Sequence, residues 1–163
     1  LKDTNVIKLF AVCYQRFQSV ASLLQSPFLL LVRLYWGWQF AQAGWGKMQH
    51  IHKVTGFFQS LGIPFPAFNA HFVAGVEFFG GILLILGLAS RLTGLILTIN
   101  MLVAYWTASR DALFSVISDP GTFYGDAAYT FLFAALLVLI FGAGWISVDT
   151  LIAKQYRQRT QQA

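Results

Sequence analysis

Four long apolar stretches divide this sequence, and they constrain its fold more than any other feature. A helix that crosses a bilayer needs about 20 mostly apolar residues at about 1.5 Å rise each. Residues 28–47, 67–89, 92–108 and 127–145 each approach that length. The charge that would clothe them in water is missing. Asp, Glu, Lys and Arg make up 10% of the chain, against about 25% in a soluble domain. With hydrophobic residues at 57% and a length of 163, the chain is expected to be an integral membrane protein lying almost wholly in or at the bilayer.

The predicted architecture is all-α: an up-down bundle of four transmembrane helices with an N-terminal interfacial amphipathic helix. Ser90 and Arg91 alone link the second and third stretches, which forces a tight antiparallel hairpin. The Lys and Arg residues sort by side. Lys2, Lys8, Arg16, Arg91, Lys154, Arg157 and Arg159 fall on one face, and Lys47, Lys53 and Arg110 on the other. The positive-inside rule then puts both termini on the cytoplasmic side of the membrane. The net charge of +5 is read as a topology and anionic-lipid signal, not as nucleic-acid binding.

Three segments are expected: residues 1–26, 27–150 and 151–163. Residues 1–26 lack the continuous apolar run and cleavage site of a signal peptide. Val6, Phe10, Cys13, Phe17, Val20 and Leu24 recur at helical spacing, which predicts an amphipathic helix lying on the cytoplasmic interface or against a partner subunit. Pro27 then opens the first span, where proline is tolerated at a helix start. Residues 151–163 read as a basic polar tail. The outer loops, 50–66 and 109–125, are rich in Phe and Pro and are expected to pack as a lid.

Ionisable residues inside a span cost roughly 2.5–3.5 kcal/mol on insertion scales, so their positions carry information. Arg33 and Glu77 stand away from the span edges, and Asn100 falls at a similar expected depth. An Arg33–Glu77 ion pair with Asn100 beside it is the predicted intramembrane cluster. It either fixes helix register or forms the polar end of a quinone or proton site beside Trp36, Phe40, Phe78 and Phe79. Lys47 and Asp126 are expected to pair at the outer face, with Tyr124 and Tyr129 near them, unless both charges simply snorkel to water.

No self-contained catalytic motif is present, and no metal site is expected. His50 and His52 sit together in a loop, and His71 has no intramembrane partner for bis-His haem. The single cysteine, Cys13, excludes an internal disulfide or a CxxC redox pair.

The remaining pattern resembles a known family. Arg33-Leu34, Gly37, Gly44 and Gly46-Lys47 are followed by Leu61-Gly62-Ile63-Pro64-Phe65-Pro66. Then come Glu77-Phe78-Phe79-Gly80-Gly81 and Gly87-Leu88-Ala89-Ser90-Arg91, with Gly125-Asp126 after an Asp-Pro loop. This order over about residues 28–150 resembles the DoxX family of small four-helix bacterial membrane proteins. The resemblance implies a subunit of a quinone-linked oxidoreductase complex, with quinone as the one expected ligand and other membrane or peripheral subunits as partners. It equally allows a non-catalytic accessory subunit that stabilises or recruits such a complex. In either role Arg33, Lys47, Glu77 and Asp126 match the family's polar positions. A solute transporter is disfavoured, because no pair of broken helices marks a midplane site.

Overall fold

The computed structural model describes residues 2–160, with side chains from Phe10 onward. The expectations placed on the side chains of Val6 and Lys8, and on residues 161–163, lie outside the described residues. Every regular element described is a helix: α1 Lys2–Gln49, α2 Ile51–Ser60, α3 Pro66–Leu86, α4 Ser90–Ala108, α5 Arg110–Phe114, α6 Pro120–Gly125, α7 Ala127–Phe141 and α8 Val148–Thr160. Local chemistry sets several of these ends. Pro66 and Pro120 occupy first turns, where the missing N–H costs nothing. The carboxylates of Asp119 and Asp126 accept the amides of Thr122 and Ala128 at 3.3 and 2.8 Å, capping α6 and α7. Hydrogen bonds from the Thr122 side chain and amide hold the exposed Asp119 carboxyl below its ordinary pKa. Gly87 closes α3 in the left-handed region, with φ 66°.

The four long helices form a ring in which α1 packs on α3, α3 on α4, α4 on α7 and α7 back on α1. Their common core is Phe40, Leu84, Leu97, Met101, Ala135 and Val138. Phe131 of α7 takes Trp36 and Phe40 of α1 edge-on, with ring centroids 5.3 and 4.7 Å apart. The closest approach is between α1 and α3. A Cβ placed on Gly81 would lie 2.5 Å from both the Gly37 carbonyl and the Ala41 amide, so the two backbones touch without side chains between them, as small residues permit in membrane helices.

The outer surface is apolar. Leu31, Trp38, Phe72, Phe79, Leu95, Ile99 and Leu102 are all exposed, a surface that suits lipid and not water. Helices α1 and α3 are each long and apolar enough to cross a bilayer. Helix α7 is apolar but has 15 residues, which rise about 22 Å against a hydrocarbon core of about 30 Å.

Three expectations change. Pro27 does not open a helix; it lies inside α1, which runs unbroken from Lys2 to Gln49. The proline deprives one carbonyl, that of Leu23, of its helical donor. Every side chain from Phe10 to Gln25 is exposed, so that carbonyl lies where solvent or lipid headgroups reach it. Helix α8, Val148–Thr160, crosses the expected boundary at residue 150 and takes in residues 151–160 of the expected tail. The outer loops contain helices of their own: α2 in the first, α5 and α6 in the second.

Candidate functional site

Glu77 sits in the middle of α3 and is 3% exposed. Lys47, from the last turn of α1, donates to its Oε2 and forms the one ion pair among the described residues. Asn100 of α4 donates from Nδ2 to Oε1 at 3.3 Å. Three helices therefore converge on one carboxylate, each oxygen of which has a donor. The predicted meeting of Glu77 with Asn100 is present in the structure.

The other two predicted pairings are not. Arg33 is 1% exposed, but it faces a different partner. Its Nη1 donates to the Ala143 carbonyl at 2.6 Å and its Nη2 to the Ile146 carbonyl at 2.8 Å. The physical reason is register. The Gly37–Gly81 contact sets α1 antiparallel to α3 so that Arg33 lies against Gly87, ten residues from Glu77. At 1.5 Å per residue that separation is about 15 Å, beyond the reach of an arginine. Arg33 instead satisfies carbonyls freed where α7 ends at Gly142 and the chain turns through Gly144. Lys47 correspondingly reaches inward to Glu77, and Asp126 spends its carboxylate on the α7 cap. The expected Lys47–Asp126 pair does not form.

Beside the cluster lies a cavity of about 500 Å³ lined by Lys47, Glu77 and Asn100, with walls from α2, α3, α4 and α7. The wall residues are mostly apolar and include Phe57, Phe58, Leu61, Ile63, Met101 and Phe131. This is the size and character of a small-molecule site: apolar walls with a few converging polar groups. The first outer loop covers it in a fixed conformation. The Ile63 amide donates to the Phe58 carbonyl at 3.0 Å, and Asn69 Nδ2 ties the Pro64 carbonyl back to α3 at 2.6 Å. The second outer loop is anchored by Tyr105, fully buried, whose hydroxyl donates to the Phe123 carbonyl at 2.5 Å. Tyr129 meets Phe123 edge-on and stacks with Phe133, while Tyr124 is exposed.

Sequence reasoning overlooked Asp149. Its carboxylate accepts the amides of Ala89 and Ser90 at 2.7 and 2.9 Å, clamping the start of α4 across a residue, Ala89, held at φ 47°. A non-glycine residue in that region is strained, and persists where its surroundings fix it. Desolvation pushes the Asp149 carboxyl up, but the Ser90 and Ala89 bonds and the Arg33 charge outweigh it, so its pKa stands below the ordinary 3.8. The available signal was a lone acid just after the fourth apolar stretch, in a run broken by Gly142 and Gly144.

Comparison with known proteins agrees with the pattern of residues. The DoxX family model matches residues 28–110. CatD of Bacillus subtilis (strain 168), which carries the provisional name of an oxidoreductase, is 28% identical over 127 residues, covering 77% of this chain and 87% of CatD. An uncharacterized protein of Haemophilus influenzae is 32% identical over 133 residues, covering 78% of this chain and 85% of that protein. No solved structure matches the chain.

Proposed function

This chain belongs to the DoxX family of membrane proteins, and from that premise we propose that it is a subunit of a bacterial quinone-linked redox complex, with the Glu77 cavity as its quinone or proton site. The observation that carries this reading is a mostly apolar cavity of about 500 Å³ with the Lys47–Glu77–Asn100 cluster on its wall. A quinone ring would lie among the aromatic and aliphatic walls. Its carbonyl oxygen would accept from Asn100 Nδ2 or Lys47 Nζ. Reduction to the quinol takes two electrons from a partner subunit and two protons, and Glu77 is the group placed to relay a proton. The name borne by CatD supports the redox direction.

In this reading α1, α3, α4 and α7 all cross the inner membrane, and the Lys and Arg distribution keeps both termini cytoplasmic. The bilayer can thin to meet the short α7. The first half of α1 continues the same unbroken helix beyond the span, and its exposed apolar side chains suit a partner subunit on the cytoplasmic side. The test is to purify the complex gently, extract it and assay for quinone. Bound quinone is expected, and Glu77→Gln is expected to cut quinone-dependent turnover while assembly survives. Unchanged turnover in that variant would remove Glu77 from the reaction.

One observation favours a second, non-catalytic reading. The Lys47–Glu77 pair joins the same two helices as the Gly37–Gly81 contact, so it also serves to lock their register in an accessory subunit. That role predicts no retained quinone, and complex assembly that fails in Glu77→Gln.

A further inference from the structure

At the opposite end of the bundle from the Glu77 site, a second cavity of about 440 Å³ opens between the start of α4, the Gly142–Gly144 turn and α8. Three basic side chains line it: Arg91, Lys154 and Arg157. They come from two helices distant in sequence, α4 and α8. The one acid on the wall, Asp149, is already engaged by two backbone amides. Asp149 keeps its charge, so three cations against one carboxylate leave the cavity wall with a balance of +2. Ser90 also lines it, is 1% exposed, and stands near the Asp149 carboxylate without meeting hydrogen-bond geometry.

We propose that this cavity binds the phosphoryl headgroup of an anionic lipid. Cations that converge from two helices suit a phosphate oxygen. The volume exceeds a bare phosphate several-fold, leaving room for the glycerol unit of a lipid. The surroundings suit a lipid as well. Trp145 is exposed beside the turn, as is Ile146, and on α8 Leu151 and Ile152 are exposed just before Lys154, with Tyr156 exposed between Lys154 and Arg157. Aromatic and aliphatic side chains interleaved with Lys and Arg mark a helix seated at headgroup level. The glycine turn that forms the cavity wall is held by Arg33 through the Ala143 and Ile146 carbonyls, so the site is fixed by the bundle itself.

The experiment measures lipid retained by the intact purified chain, by native mass spectrometry from mixed micelles of phosphatidylglycerol and phosphatidylcholine. Each cation near an anionic headgroup is worth about fivefold in binding, so Lys154→Gln with Arg157→Gln is expected to lower phosphatidylglycerol retention about 25-fold. Arg16→Gln with Arg159→Gln removes the same charge from exposed positions that do not line the cavity, and is expected to leave retention unchanged. Equal loss in both double variants, or equal retention in both, overturns the proposal. Saturable binding of inorganic phosphate alone, lost in the first variant and without any phosphatidylglycerol preference, also overturns it by assigning the site to a soluble anion.

Discussion

Adding one methyl group to Gly81 should do more damage than its size suggests, and the structure says why. The new Cβ would sit 2.5 Å from the Gly37 carbonyl oxygen and the Ala41 amide nitrogen, and 3.0 Å from Ala41 Cα. Ordinary contact begins near 3.4 Å, so α1 and α3 must separate by about 0.9 Å along that line. The obstructing atoms are all backbone and cannot rotate away. Overpacking of this kind costs about 1–3 kcal/mol, or about 5- to 150-fold in the unfolding equilibrium. The matched control is Gly75→Ala on the same helix, where a Cβ meets nothing within 4 Å. There the exchange removes backbone freedom from the unfolded chain and is neutral, or stabilising by up to about 1 kcal/mol. The assay is reversible unfolding in mixed micelles followed by tryptophan fluorescence, with both variants compared at equal detergent composition. If Gly81→Ala unfolds with the same equilibrium constant as Gly75→Ala, the close packing of α1 on α3 is refuted, and with it the register that separates Arg33 from Glu77.

Two further outcomes follow from the Arg33 and Asp149 contacts. Arg33→Lys should destabilise the chain by about 2–3 kcal/mol in the same unfolding assay, because one ammonium cannot span the two carbonyls that a guanidinium fork reaches. Asp149 has a depressed pKa, so its contribution to stability is fully present above the ordinary value of 3.8 and is lost as pH falls through the lower folded value. Unfolding measured from pH 6 downward should therefore show an acid loss in the native chain that is absent in Asp149→Asn, which is less stable near pH 6 and approaches the native chain once Asp149 is protonated.

Much of the architecture was legible because burial periodicity and length are local properties. The four apolar stretches correspond to α1, α3, α4 and α7, but the link expected at Ser90 and Arg91 falls earlier, at Gly87–Ala89, because Gly87 takes the left-handed conformation that ends α3 and Ser90 already opens α4. The polar residues that matter were also legible as residues. Arg33 and Glu77 are both buried, and Asn100 does meet Glu77. What was not legible was who pairs with whom. The expected depth of Arg33 depends on where the first span begins, whereas the bundle takes α1 at a register fixed by glycines across an interface. Counting along one helix cannot reveal how far its neighbour has slid. The same blindness hid Asp149, whose role depends on two amides about sixty residues earlier in the chain.

The sequence by itself determined a helical membrane chain, because so few charges over such long apolar runs leave no other way to satisfy the backbone. It also determined which side chains stand where charge is least tolerated. The tertiary structure alone decided that Arg33 secures the turn after α7 and that Lys47 turns inward to Glu77 beside a cavity. An ion pair is settled by distances of a few ångströms between helices, and those distances are set where Gly37 and Gly81 let two backbones touch.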